Sequence, residues 1–581
     1  MSSNPQFDFA KSFGRKSGGR RVSPLSITVG ILVAAAIALV SLSGFYADWL
    51  WYKSVDYTSV WSTTLFTKVY LFIGFGLITS LFVLLNVYLA FKRRPVYVSM
   101  AVENDNLERY RAQLEPLRKL AFAGVGLAVF YFAGTAGTSL WRTWLLFKNS
   151  TDFGVKDVQF NLDISFFAFR LPFWQSLISW GFSALILALL AAGAVHYLYG
   201  GLRPQSRQDR STPFARAQLS VLLGLVVLLK GVAYWFDRYA LSLKENKLIT
   251  GLTYSDVNAL LPAKAILAGI AVICSLLFFA NIFRKSWFLP ASGTALLVIS
   301  AVLIAGVYPA AIQTFQVKPS ESSKEAPYIQ RNIDATRDAY DLSGVEMKDY
   351  SATQKTTPGQ LANDAATIAN IRLMDPNVIS ATFRQLQQIK PFYNFADSLD
   401  VDRYTIDGKY RQTLLSPREL KSENLPNRTW INEHLTFTHG YGVSLSPVNQ
   451  VTPQGLPVLL IKDIPPRSSV DLKVGQPEIY FGELSSDHVF VNTGTKEFDY
   501  PEGEKNVYKN YEGKGGFEVG SFFRKLVLAA RFKALKIIFS EDINSESRVL
   551  MYRNITDRVQ RVAPFLRLDN DPYLVISEGR L

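Results

Sequence analysis

Residues 430–442 read WINEHLTFTHGYG and hold His434 and His439, two of the four histidines in the chain. Imidazoles beside Glu433 could bind a metal or move a proton. Their spacing argues for a blander role. Five residues apart, they share neither one helical face nor one strand face, and no third partner completes the i,i+4 pair of a zinc hydrolase. The alternation of Leu435 and Phe437 with Thr436 and Thr438 predicts a strand, and Gly440-Tyr441-Gly442 a turn. Both histidines are therefore expected to pack or hydrogen-bond, and they remain the first place to look for chemistry. A second candidate, DSLDVDRYTIDG (397–408), clusters Asp397, Asp400, Asp402 and Asp407. A calcium loop wants alternating oxygen ligands, a central glycine and a bidentate acid at its end. Here the glycine comes too late. Asp400 and Asp402 stay as candidate binding carboxylates. The third candidate is Lys230, the one basic residue deep in an apolar run, SVLLGLVVLLKGVAYWFDRYAL. It can snorkel to the boundary marked by Trp235 and Arg238, take an anionic lipid head group, or pair with external loops.

Other enzyme signatures are missing. The chain has no GxxxxGKS/T, HExxH, GxSxG or CxxC, and YEGKGGFEVG (511–520) lacks dinucleotide-binding spacing. No cofactor and no metal are expected. Cys274 is the single cysteine, so no disulfide within the chain can hold an external domain together.

The elements that would position these residues follow from the apolar runs. A chain of 581 residues is too long for one core. Its 49% hydrophobic and 19% charged residues, with mean hydropathy +0.11, suit a protein partly in lipid and partly in water. Crossing a bilayer takes about 20 apolar helical residues. Seven stretches qualify: 24–44, 66–91, 117–138, 171–199, 218–235, 262–283 and 288–308. None carries Asp or Glu, which counts against a coupled transporter. Alternate connections are rich and poor in Lys and Arg, eighteen against eight. The rich set is Lys11–Arg21, Lys92–Lys119, Arg203–Arg216 and Arg284–Lys285. By the positive-inside rule the N-terminus is cytoplasmic and everything after the seventh span is outside. The net charge of +14 is thus explained without nucleic acid, and the expected partner is the bilayer, with an anionic lipid or envelope component as a further one. Trp49, Trp51 and Tyr52, and Trp141 and Trp144, are expected to form belts at the outer interface.

The expected fold is a multi-pass α-helical membrane protein, seven spans with the N-terminus in and the C-terminus out, bearing an external α+β domain. Residues 1–23 form a cytoplasmic basic tail and 24–308 the seven-helix domain, with structured outer loops at 141–170 and 237–261. Residues 309–327, containing KPSESSKE, read as a linker, and 328–581 as the extracytoplasmic domain. Helical spacing marks 328–342, 359–374 and 377–390. Strands are expected within 455–464, 477–484, 487–494 and 497–501, and Asp407-Gly408 between β-formers predicts a hairpin. FFRKLVLAARFKALKIIF (522–539) spreads its basic residues round the helix, as a docked domain helix does. Near the end, Tyr573–Ile576 reads as a strand and Ser577-Glu578-Gly579 as a turn. Too little chain follows for a partner strand, so the domain is expected to be truncated at its C-terminal end.

Several separated segments carry a family resemblance: DFGVKDVQFNLDISFFAFRLPFW (152–174), LTYSDVNALLPAK (252–264), APYIQRNIDATRDAY (326–340), DVDRYTIDGKYRQ (400–412), EHLTFTHGYG (433–442) and SRVLMYRNITDRVQRVAPFL (547–566). The chain resembles uncharacterised protein family 0182, large multi-pass proteins of bacterial cell envelopes. The resemblance implies a plasma-membrane protein with seven spans and a large external domain. It implies no catalytic residue, and it implies that related chains continue beyond Leu581. The function expected from all this is an integral plasma-membrane protein that binds or organises something in the envelope through its external domain. The alternatives are a lipid or solute transporter gated by that domain, and an external hydrolase.

Overall fold

In the computed structural model, residues 24–95, 105–204, 210–246, 249–283, 288–349, 355, 357–485, 487–569 and 571–581 are described. The basic tail 1–23 and Arg207, Lys247, Arg284 and Lys285 lie outside them. Among the described residues seven helices are long and apolar enough to cross a membrane, and each overlaps one of the expected stretches. The chain divides into two units, residues 62–352 and residues 1–61 with 353–581.

The first unit contains most of α2 (Thr58–Lys92), then α3 (Asp105–Thr138), α4 (Trp141–Lys148), α5 (Leu171–Leu198), α6 (Pro213–Ala240), α7 (Leu261–Ala280) and α8 (Phe288–Val302), preceded in the chain by α1 (Pro24–Ser54) of the other unit. Small residues let α2 and α3 touch backbone to backbone: a Cβ on Gly76 would meet the Phe130 carbonyl at 2.8 Å, and one on Gly134 the Phe72 carbonyl at 2.9 Å. Such close approach drives helix association where lipid removes the hydrophobic term. Val83, Ala90, Ala188, Ala192 and Leu222 form a small buried core among α2, α5 and α6.

Among the described residues of this unit are four π turns, at Phe166–Arg170, Asp256–Leu260, Leu303–Val307 and Ile312–Val317. Each ends two residues before a proline: Pro172, Pro262, Pro309 and Pro319. Proline lacks the N–H for an α-type bond and its ring crowds the carbonyl one turn back, so the preceding turn widens. The last two turns lead through α9 (Tyr308–Ala311) into α10 (Glu321–Ala339). Residues 309–327 are therefore helical rather than a linker. The cause is docking. Glu325, only 7% exposed, accepts from the Tyr254 backbone N–H at 3.0 Å; Asn332 donates to the Thr250 carbonyl at 2.8 Å, and Arg331 to Gln159 at 3.1 Å. Both outer loops are held against this helix. Within the first loop Asp163 accepts backbone N–H bonds from Phe153, Gly154 and Ser165, the Phe153 bond foremost in holding its carboxyl down at about 2.

The other unit continues with α11 (Pro358–Asn363), α12 (Ala365–Ile368) and α13 (Pro376–Gln387). Its strands are β1 (Tyr393–Asn394), β2 (Asp400–Ile406), β3 (Lys409–Pro417), β4 (Glu419–Leu420), β5 (Gly440–Tyr441), β6 (Val443–Pro447), β7 (Ile461–Lys462), β8 (Arg467–Ser468), β9 (Glu478–Ile479), β10 (Val489–Val491), β11 (Glu497–Glu502), β12 (Lys505–Lys509), β13 (Phe517–Glu518) and β14 (Arg548–Leu550). Helices α14 (Phe522–Phe532) and α15 (Lys536–Phe539) precede β14, and α16 (Ile555–Val562) follows it. The largest sheet is antiparallel in the order β2-β3-β6-β7-β8. Asp407 (φ 51) and Gly408 (φ 73) make the expected tight turn between β2 and β3, pairing Ile406 with Lys409 and Asp400 with Leu415. Successive residues of β3 face opposite sides: Leu414 packs with Phe383 of α13, and Leu415 with Leu445, Ile461 and Ile576.

Three expectations fail here. Tyr573–Ile576 is not a strand. Ile576 enters the core beside Leu415 with its N–H on the Tyr404 hydroxyl at 3.0 Å, and the following turn closes through paired Ser577 and Arg580 backbone bonds. The 455–464 run yields only the short β7, because its Pro457 and Pro465 flank it and Leu460 bonds back to Leu445. Most consequential, Trp51 is no interface belt. At 1% exposure it joins Ala47 and Leu50 in a core with Leu435, Phe490, Leu528, Ile537 and Val549, its ring 5.0 Å from that of Tyr552. The end of the first span is thus part of the sheet domain. Asp48 accepts from the Tyr552 hydroxyl and lies 3.6 Å from Arg531 of α14, so 522–539 docks as expected. It breaks at Lys533, whose φ of 55° ends α14.

Candidate functional site

Residues 430–438 are not a strand. Asn432–Thr436 is a π turn, because Leu435 has to reach the core shared with Trp51 and Phe490. This sends the two histidines into different surroundings. His434, half-buried, meets the His488 carbonyl at 2.8 Å and stacks on the His488 ring at 4.3 Å. His488 stacks in turn on Phe532 at 3.6 Å, nearly parallel. Burial, then the neighbouring His434, holds the His488 imidazole well below its ordinary value.

His439 is enclosed. Its Nδ1 lies 2.9 Å from the Thr438 hydroxyl and its Nε2 3.2 Å from Asp499. Hydroxyl, imidazole and carboxylate in a row resemble a nucleophilic triad, but Thr438 gives its proton to Glu497 at 2.8 Å, and the side chains of His439 and Asp499 are 0% and 6% exposed. Glu497 also accepts from the Tyr480 hydroxyl and from the Asn492 and Tyr511 backbone. Arg553, only 3% exposed, clamps three loops through the carbonyls of Thr438, Tyr480 and Asp487; burial pulls its guanidinium down to about 10. Such a satisfied network fixes a fold. We expect His439→Ala to cost about 3 kcal/mol, since it strands a buried carboxylate, and His434→Ala about 1 kcal/mol. Urea unfolding of the two variants checks this order; equal losses would contradict it.

Asp400 leads elsewhere. It lines an open cleft of about 770 Å³ with Arg372, Asp375, Asn377, Asp571 and Tyr573. Its Oδ2 is buried and has no hydrogen-bond partner among the described residues. Burial, then the charges of Asp571, Asp402 and Glu419, raise its carboxyl to about 7. Glu483 is raised to about 7 as well, by burial and then by Asp400 and Glu419. Glu419 is pinned in place: it accepts from the backbone of Glu483 at 2.8 Å and Leu484 at 2.9 Å. It also needs Gly482, where a Cβ would collide with its carboxylate. Gly482→Ala should therefore displace Glu419 and lower the apparent pKa of Asp400, measurable by carboxyl NMR titration. Glu419 and Glu483 face a second cleft of about 410 Å³, and Tyr573 borders both. Asp402 sits on the same strand and contributes charge, its own carboxylate accepting from the Arg403 N–H at 2.8 Å.

Of the expected site residues, then, Asp400 and Asp402 belong together, while His434 and His439 join neither them nor each other. Lys230 is in the other unit, its Nζ 4.5 Å from the centre of the Tyr234 ring. The same ring receives Lys264 at 5.3 Å, which pairs with Asp237 at 2.9 Å. Glu419, Glu483 and Asp571 escaped the sequence reading because nothing local marks them; only the fold brings them to Asp400. A buried polar chain among the spans was missed in the same way: His196 to Gln218 at 2.9 Å, and Gln218 to Asn86 at 3.1 Å. No group of three or more His, Cys, Asp or Glu among the described residues is arranged to hold a metal.

Comparison with known proteins agrees across nearly the whole chain. Residues 25–581 match the model of the uncharacterised protein family UPF0182. A UPF0182 protein of Streptomyces coelicolor is 45% identical over 576 residues, covering 98% of this chain and 57% of that protein. One from Frankia casuarinae is 42% identical over 566 residues, covering 96% and 55%, and one from Clavibacter sepedonicus 41% over 572, covering 97% and 58%. The chain thus spans somewhat more than half the length of these relatives. No solved structure matches. With seven apolar helices and a sheet-rich C-terminal domain, the chain belongs to the uncharacterised protein family UPF0182.

Proposed function

We propose that this is a plasma-membrane protein whose sheet domain lies outside the cell and binds an envelope component in the cleft at Asp400. The observation that carries the reading is the orphaned, buried Oδ2 of Asp400 at the wall of an open cleft. A buried oxygen without a donor is costly, and a ligand offering a hydroxyl, an ammonium or another cationic donor relieves that cost. The size of the cleft is that of a small-molecule or oligomer-end site. The outside placement is supported by the core that Ala47, Leu50 and Trp51 share with the domain. A chain whose basic tail stays inside crosses once along α1 and arrives at the domain. Binding is favoured over hydrolysis because the His439–Asp499 pair, the one His–Asp pair among the described residues, is sealed from water.

The test is to purify the full chain from native membranes and identify by mass spectrometry what remains bound. The wild type should retain a component with hydroxyl or cationic groups, and Asp400→Asn should lose most of it. Equal retention by both would overturn the assignment.

A further inference from the structure

A second site lies among the helices, distinct from the cleft at Asp400. The C-terminal end of α2, the point where α3 turns apolar and the C-terminal end of α5 come together at one end of their unit. Between them is a groove of about 500 Å³ walled by Val87, Phe91, Phe122, Val125, Leu198 and Tyr199, with Arg118 and Lys119 at its edge. Its wall is apolar and partly open: Val125 is 42% and Phe122 37% exposed, on helices long enough to cross a membrane. Such a wall suits a hydrocarbon chain.

The rim has the opposite character. Lys92 ends α2, and Arg94 lies over the Phe91 ring at 3.9 Å. Glu115 is the carboxylate here, and it is already taken by Arg118 at 3.0 Å, Arg94 at 3.8 Å and the Tyr199 hydroxyl at 3.4 Å. Arg111 donates to the carbonyl of Leu198, a wall residue. Among the described residues Arg118 and Lys119 at the edge, with Lys92, Arg94 and Arg111 near it, thus outnumber the Glu115 carboxylate, and exposed Lys119 has no ion-pair partner there. Basic side chains above an apolar interhelical groove are the arrangement that holds an anionic lipid.

We infer that this groove binds a phospholipid with a net-negative head group, one acyl chain lying along Val87, Phe122 and Val125 and the phosphate meeting Arg118 and Lys119. The lipid comes from the leaflet facing the basic connections.

Native mass spectrometry of the detergent-purified full chain tests this, with dioleoylphosphatidylglycerol and dioleoylphosphatidylcholine added in equal amounts. The phosphatidylglycerol adduct should dominate. Lys119→Ala should lower that preference roughly fivefold, the usual effect of one basic group at a charged membrane surface. Ala121→Trp, at an exposed position on the groove wall, should block the adduct of either lipid. Equal adducts of the two lipids on the wild type would overturn the inference. So would an unchanged preference in Lys119→Ala, whose side chain is exposed.

Discussion

Replacing Trp51 by alanine should destabilise the sheet domain by about 3–5 kcal/mol, the usual cost of emptying a buried aromatic site. The side chain is 1% exposed and sits at the centre of the core formed by residues from α1, the π turn, β10, β14, α14 and α15. Toward the N-terminal end of the first span the helix leaves that core: Leu32 and Ile37 are 63% and 62% exposed. The Trp51 indole N–H has no partner among the described residues, so Trp51→Phe should cost much less. Pulse proteolysis of the full chain in urea, read from the survival of residues 353–581, measures both. A loss below about 1 kcal/mol for the alanine variant would mean that α1 is only a membrane anchor.

The stability of the same domain should fall as pH rises from about 4 to about 7, through Asp400 and Glu483. Both carboxyls keep their protons to about 7 when folded, whereas an unfolded chain releases them near pH 4. Between those values the folded state binds more protons than the unfolded one. Its stability is therefore greatest at the acid end, declines as pH rises and is level above 7. Both groups are partly exposed, so after allowing for solvent screening the pair contributes on the order of 2 kcal/mol. Asp400→Asn cannot ionise and should remove about half of the slope, raising stability at pH 8 and leaving pH 5 nearly unchanged. Urea midpoints of wild type and variant at the two pH values decide it, and parallel curves would contradict the raised carboxyl.

What the sequence revealed was local or long-range in length only. Twenty-residue apolar runs and Asp407-Gly408 between β-formers need no distant partner to be recognised, and both are found as read. The failures share a cause. Leu435 and Phe437 alternate with threonines as strand residues do, yet the demand of the Trp51 core for Leu435 winds the segment into a π turn. Trp51 looks like a belt residue because its neighbours Trp49 and Tyr52 are aromatic; only the arrival of residues 430–552 makes it core. KPSESSKE is polar enough for a linker, and it is helical because Glu325 meets the Tyr254 backbone. Of the candidate site, Asp400 was legible as one of a cluster of aspartates. Its true partners, Glu419, Glu483 and Asp571, were not, because they come from β4, from the loop after β9 and from the segment after α16.

The central claim, that the sheet domain stands across the membrane from the N-terminal tail, is tested most directly at the β2–β3 turn. Asp407 is exposed at that turn, and the native Cys274 is buried within a span. In intact cells producing the full chain with Asp407→Cys, a membrane-impermeant maleimide should label the protein without permeabilisation, and the parent chain should stay unlabelled. Labelling of Asp407→Cys only after the cells are permeabilised would place the domain in the cytoplasm and contradict the account.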